Sequence, residues 1–222
     1  MKPQATSPVT VQQLADRKGL PADVLARFGV EDQPWGVLFR YYHPDGQRAR
    51  SRMRLGLQGA GGSAWVPDET EPIVAYSLPA TLEFVRRLGL QIIVEGESDC
   101  WVAWAHELPA VGIPGGDKYD TVLAAHLEGA REVFVQVEPD NGQTFPDGVE
   151  AYLSRLVRAV RRNGFTGPVY ALRHGDGIAD LSDLFAADPA GFPTRVQESL
   201  SQARAAEPIV PRRPRRGPDS TA

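Results

Sequence analysis

Eight carboxylates fall in three short stretches of this sequence: Glu95, Glu97 and Asp99 in VEGESD, Glu138 and Asp140 in VEPD, and Asp176, Asp180 and Asp183 in DGIADLSD. Packed together, such groups repel one another and raise each other's pKa unless a cation neutralises them. Oxygen-only ligands with no Cys or His at ligand spacing suit Mg2+ or Mn2+ and not zinc. A cation held this way can offset negative charge that develops on oxygens during a reaction. One acidic residue at a strand end is ordinarily only solvated, and Asp99 alone has a simple reading as a helix cap. Three clusters converging on one edge are harder to explain as solvated charge.

A second feature is cationic. The segment from Arg48 to Leu55 reads RARSRMRL. In a strand, alternation sends Arg48, Arg50, Arg52 and Arg54 to one face. That face has two readings of equal weight: a grip on phosphates, or solvated charge that shields a sheet edge. Other residues have weaker claims. His174 follows a strand near the acidic stretches and reads as an exposed loop histidine or a phosphate contact. Cys100, Trp101 and Trp104 read as core.

The elements that must position these groups follow from pattern. Thr10 and Gln13 have capping-box spacing ahead of Val11, Leu14 and Ala15, and Gly19 closes that helix. A second short helix follows Pro21 and ends at Gly29. Residues 35–42 and 48–55 flank Pro44, Asp45 and Gly46, which predicts a hairpin. Beyond it the chain alternates: helix 82–88, strand 91–94, helix 99–107, strand 110–113, helix 121–127, strand 133–137, helix 147–162 and strand 168–172. The alternation predicts an α/β fold, a Rossmann-like parallel sheet flanked by helices. Right-handed crossovers put the C-terminal ends of all its strands on one edge, where open α/β sheets bind ligands. Glu95 ends the first strand and Glu138 the third, with Asp140 two residues on and facing the same way. Asp180 and Asp183 follow the fourth.

Composition removes several classes. One cysteine in 222 residues excludes a disulfide scaffold and a Cys-rich zinc element within this chain. The 24 Lys+Arg against 28 Asp+Glu give a net charge of −4, so nucleic-acid affinity would have to come from local patches. No apolar run approaches the ~20 residues that span a bilayer, and the start lacks an apolar signal core, which predicts a cytoplasmic protein with no membrane partner. A phosphate loop of the helicase type is also missing. The predicted organisation is a helical pair plus hairpin over 1–80, the α/β domain with a C-terminal helix over 81–206, and a disordered, basic, Pro-rich tail over 207–222.

Several of these motifs occur together in one family. The stretch from Val94 to Asp99, the AVGIPG run at 110–115, an acid-x-Asp at the next strand end and the DLSDL run at 180–184 resemble the Toprim domain, in the version found in bacterial-type DNA primases and phage or plasmid primase-helicases. The resemblance spans about 91–184, and the hairpin would be the small N-terminal α+β subdomain of a primase core. It implies that Glu95 is a metal ligand or general acid/base and that Asp99 is the acidic residue following it. It implies that Glu138 and Asp140 hold Mg2+ or Mn2+, and that Asp180 and Asp183 line the same site. Glu138 stands where the family has Asp, and Ala179 where it often has Lys. The implied activity is synthesis of short RNA primers from NTPs on single-stranded DNA during replication, with a replicative helicase or zinc-binding partner in another chain. A Toprim-type nuclease and a non-catalytic replication accessory protein are the alternatives.

Overall fold

The computed structural model describes residues 8–57, 62–115, 117–139, 148–175 and 177–206. Asp140, Asp176 and the 207–222 tail lie outside the described residues. Helix α1 (Val11–Lys18) starts as its sequence requires. The Thr10 hydroxyl accepts the Gln13 N–H, the Gln13 side chain accepts the Thr10 N–H, and Gly19 at φ 65 ends the helix. Helix α2 (Ala22–Arg27) leads into a four-stranded antiparallel sheet in the order β1 (Val30–Gln33), β2 (Gly36–Phe39), β3 (Arg52–Arg54) and β4 (Ser63–Trp65). The expected hairpin is its centre, with β2 and β3 paired and Tyr42 bridged to Arg48 across the turn.

Helix α3 (Leu82–Leu88) precedes the second sheet, whose order is β6 (Ala110–Ile113), β5 (Leu90–Glu95), β7 (Glu132–Gln136), β8 (Val169–Leu172) and β9 (Arg204–Ala205). The first four strands are mutually parallel, as the alternation predicts. Strand β9 pairs antiparallel with β8 at one edge, which a two-residue element gives no pattern to foresee. The predicted helix over 121–127 is instead two 3-10 turns, Tyr119–Thr121 and Ala124–Leu127. There the buried His126 takes the Leu123 N–H on Nδ1, so a side chain closes the second turn. Helix α5 (Gly148–Arg162) follows β7, and α6 (Leu181–Ala187) and α7 (Phe192–Gln202) follow β8. Among the described residues, no helix is long and apolar enough to cross a membrane.

Helix α4 (Glu97–Ala105) joins the two sheets. It is buried along most of its length, and its two tryptophans both meet Tyr76 while each has a further ring of its own. Trp101 packs edge-on to Phe39 of β2 at 5.2 Å, and Trp104 meets Phe28 at 5.4 Å and Tyr76 at 5.0 Å. The indole N–H groups are satisfied by the Tyr76 hydroxyl and the Ala110 carbonyl. Cys100 is a buried part of the same packing. The entry to α4 is equally tight. Gly96 turns the chain at φ 87, and its carbonyl approaches Gly112 of β6 so closely that a Cβ there would lie 2.3 Å from that oxygen and 2.9 Å from Cys100 Sγ. This bare contact sets the position of the first turn of α4, and with it Asp99. Gly112→Ala is expected to destabilise the protein by about 1–3 kcal/mol, since backbone must move to admit the methyl, as read by the urea midpoint.

Candidate active site

Three carboxylates meet at the C-terminal edge of the second sheet. Asp99 lies in the first turn of α4, Glu138 two residues beyond β7, and Asp180 at the N-cap of α6. One oxygen from each lies within 4.8 Å of the others, a set that can hold a metal ion. Asp99 is 1% exposed. Its Oδ1 accepts the Ser182 N–H at 3.1 Å and the Ser182 hydroxyl at 2.7 Å, and its Oδ2 accepts the Gln136 amide at 2.7 Å. Burial, and then the charge of Asp180, push the Asp99 pKa up to about 7 despite those donors. Asp180 is also shifted up, mainly by burial, although it accepts the Asp183 N–H at 2.6 Å as the cap of α6. Buried carboxylates that resist ionisation, with oxygen as the only donor atom, fit a divalent cation.

The remaining acidic residues are placed differently. Glu95 stands half-buried at the end of β5, and its charge is felt at the buried Tyr152 hydroxyl of α5 together with those of Glu138 and Asp99. It therefore borders the site, while Asp99 completes the close triad. Asp183 is exposed and contributes its backbone N–H. Glu97 turns away. It accepts from Arg52 at 2.9 Å and from the Tyr41 hydroxyl at 2.5 Å, on the opposite side of α4's first turn. His174 is not an exposed loop residue: it is 9% exposed, and burial together with Arg195 pulls its pKa down to about 4, so it is neutral near pH 7.

The four arginines do not share one face. Tyr42 faces Arg48, yet Phe39 faces Arg52, so the arginine strand carries one extra residue between the two pairs. Partners across a ladder share a face. The bulge sends Arg52 and Arg54 towards α4, while exposed Arg48 acts on Glu31 and the Arg50 guanidinium binds the Val66 carbonyl. Alternation alone contains no sign of such a slip. Burial works to lower the pKa of the partly buried Arg52, but the charge of Glu97 and the hydrogen bond to it help raise it overall.

Between α1 and α4 lies a cleft of about 160 Å3 lined in part by Arg17, Lys18, Arg54, Glu97, Ser98 and Trp101. Its cations exceed its anions, because the one lining carboxylate, Glu97, is already engaged by Arg52. The Arg54 guanidinium is pushed down by burial and also by Arg52 and Arg17. An anionic ligand would relieve that crowding. Lys18, which lines the cleft, is near enough for its charge to act on both Asp99 and Asp180.

Sequence reasoning missed Gln136 and Ser182, the neutral donors to Asp99, and the cleft residues Arg17 and Lys18. A polar residue closing the apolar run VFVQ was the one available signal for Gln136. No signal marked Ser182 beyond its place inside the late acidic stretch.

No protein-family model and no curated protein sequence matches the chain. Solved structures do. A DnaG primase catalytic domain bound to single-stranded DNA aligns with TM-score 0.66 over 93% of this chain and 74% of its own, at 16% identity. The E. coli primase catalytic core aligns with TM-score 0.61 over 88% and 73%, at 15% identity. The fold is that of a primase catalytic core. The RNA polymerase domain of Mycobacterium tuberculosis primase DnaG is similar as well, with TM-score 0.57 over 86% and 75% at 11% identity.

The raised carboxyls set a pH dependence. Asp99 would ionise near 3.8 when unfolded and near 7 when folded. The metal-free folded state therefore binds more protons across that window, and stability falls as pH rises through it. Differential scanning fluorimetry is expected to show a falling metal-free Tm from about pH 5 to about pH 8, and a Mn2+-induced rise in Tm that grows over the same range.

Proposed function

We propose that this protein is a primase-like nucleotidyltransferase that joins NTPs into short RNA primers on single-stranded DNA, in the replication of a chromosome, phage or plasmid. One observation carries the reading: the Asp99, Glu138 and Asp180 carboxylates gather at one strand edge, and Lys18, whose charge acts on two of them, lines a cleft with Arg17 and Arg54. The primase-core fold supports it. We read 81–206 as a Toprim-type catalytic unit and 1–80 as the subdomain that brings arginines to it. A cytoplasmic location, and a helicase or zinc-binding partner in another chain, belong to the same reading; Cys100, the sole cysteine, is packed inside α4.

In this scheme Asp99, Glu138 and Asp180 hold Mg2+ or Mn2+, and Asp140, outside the described residues, is a further ligand by its place in the acid-x-Asp motif. When bound, such a cation offsets charge on the attacking and leaving oxygens of nucleotidyl transfer. Glu95, bordering the triad, accepts the 3′-hydroxyl proton. Arg17, Lys18 and Arg54 hold phosphate groups in line with that hydroxyl. Arg52 keeps Glu97 from joining the acidic cluster, and Arg48 and Arg50 lie further along the path of a template. Glu138 is one methylene longer than aspartate, yet its carboxylate reaches the other two, so the length change is accommodated.

Incubation with single-stranded DNA, NTPs and Mn2+ is expected to yield short RNA, with Asp180→Ala lowering incorporation by more than about 100-fold. Cleavage of the DNA without incorporation would identify a nuclease, and DNA binding with neither activity an accessory protein. Arg54→Ala is expected to weaken single-stranded DNA binding and to reduce its log K against log salt slope by about 0.7.

A further inference from the structure

Gln136 is the last residue of β7, 1% exposed, and stands behind two of the three carboxylates. Its amide orientation is decided by its surroundings. The Leu181 backbone N–H, which can only donate, lies 3.2 Å from Oε1, and His174 Nε2 lies 3.3 Å from the same oxygen. The Nε2 end must then face the acidic cluster, where it donates to Asp99 Oδ2 at 2.7 Å and to Glu138 Oε1 at 3.3 Å. His174 is held in turn by Ser199 of α7, 3.2 Å from Nδ1.

We propose that Gln136 is a positioning residue for the divalent cation: its side-chain amide clasps Asp99 and Glu138 at ligand spacing, and His174 and the α6 N-terminus hold that amide in register. The proposal rests on reading the triad as a metal site. An amide is suited to this task. It supplies two N–H donors to two carboxylates that otherwise repel, and being neutral it does not compete with the cation as lysine or arginine would. The shared acceptor at its other end leaves it one orientation. A chain of buried contacts thus runs from α7 through β8's exit and β7 to the two ligands.

The test is Mn2+ affinity, measured by calorimetry and by the free-Mn2+ electron paramagnetic resonance signal on the full chain. Gln136→Met keeps the volume and removes the donors, and is expected to weaken Mn2+ binding about tenfold or more. His174→Ala, which loosens only the far end of the amide, is expected to weaken it by a smaller factor. Equal affinity in wild type and a folded Gln136→Met overturns the proposal and leaves the metal site standing. Wild type that binds no Mn2+ overturns both. If Gln136→Met does not fold, nuclear magnetic resonance of wild type decides: the Gln136 side-chain amide signals, assigned through the backbone, are expected to shift on Mg2+ addition, and signals that stay fixed through saturation overturn the clasp.

Discussion

Mutual repulsion among three close carboxylates, one buried and two partly so, is the constraint around which this protein is arranged. Asp99, Glu138 and Asp180 place oxygens within 4.8 Å of one another, and Asp99 is all but removed from water. Without compensation such a cluster would protonate or spread apart. The carboxylates are instead held by donors from two elements, β7 and α6: Ser182 and Gln136 on Asp99, Gln136 on Glu138, the first turn of α6 on Asp180. These donors hold the carboxylates close without cancelling their charge. The cost is retained, and it remains available to drive cation binding.

The scaffold serves this arrangement in a specific order. Parallel strands deliver their ends to one edge, and β5 and β7 are neighbours, so Glu95 and Glu138 issue side by side. Asp99 reaches the same edge from a helix, and its position depends on the close approach of Gly96 to Gly112. Asp180 caps α6, so the element that presents Ser182 to Asp99 is nucleated by a member of the triad itself. The first sheet adds the opposite charge. It packs Phe39 on Trp101, and both line the cleft between α1 and α4 together with Arg54.

Much of this was legible in the sequence. The capping box at Thr10 and Gln13, the alternation after Leu82 and the convergence of acidic stretches on strand ends each rest on local rules, and local rules are visible in a string. What escaped depends on neighbours distant in sequence. Gln136 is neutral, so it stands out in no charge pattern, and its meaning appears only when Asp99, 37 positions earlier, folds against it. His174 sits in a loop yet is buried by α7, a fact about packing. The arginine row failed for a different reason, because one inserted residue moves side chains to the other face and a bulge leaves no mark in an alternating pattern.

The pairing of Arg52 with Glu97 has a mechanical meaning. Glu97 and Asp99 are two residues apart on one helical turn, one fastened to the first sheet and the other to β7 and α6. The first turn of α4 is thereby pinned on both of its sides. Swinging the two sheets apart would break charge-assisted hydrogen bonds, each worth about 1.5–3 kcal/mol, and separate the aromatic seam behind them. One turn of helix thus carries the tie between the antiparallel and the parallel sheet, and a change at either carboxylate is felt by the other through a single stretch of backbone.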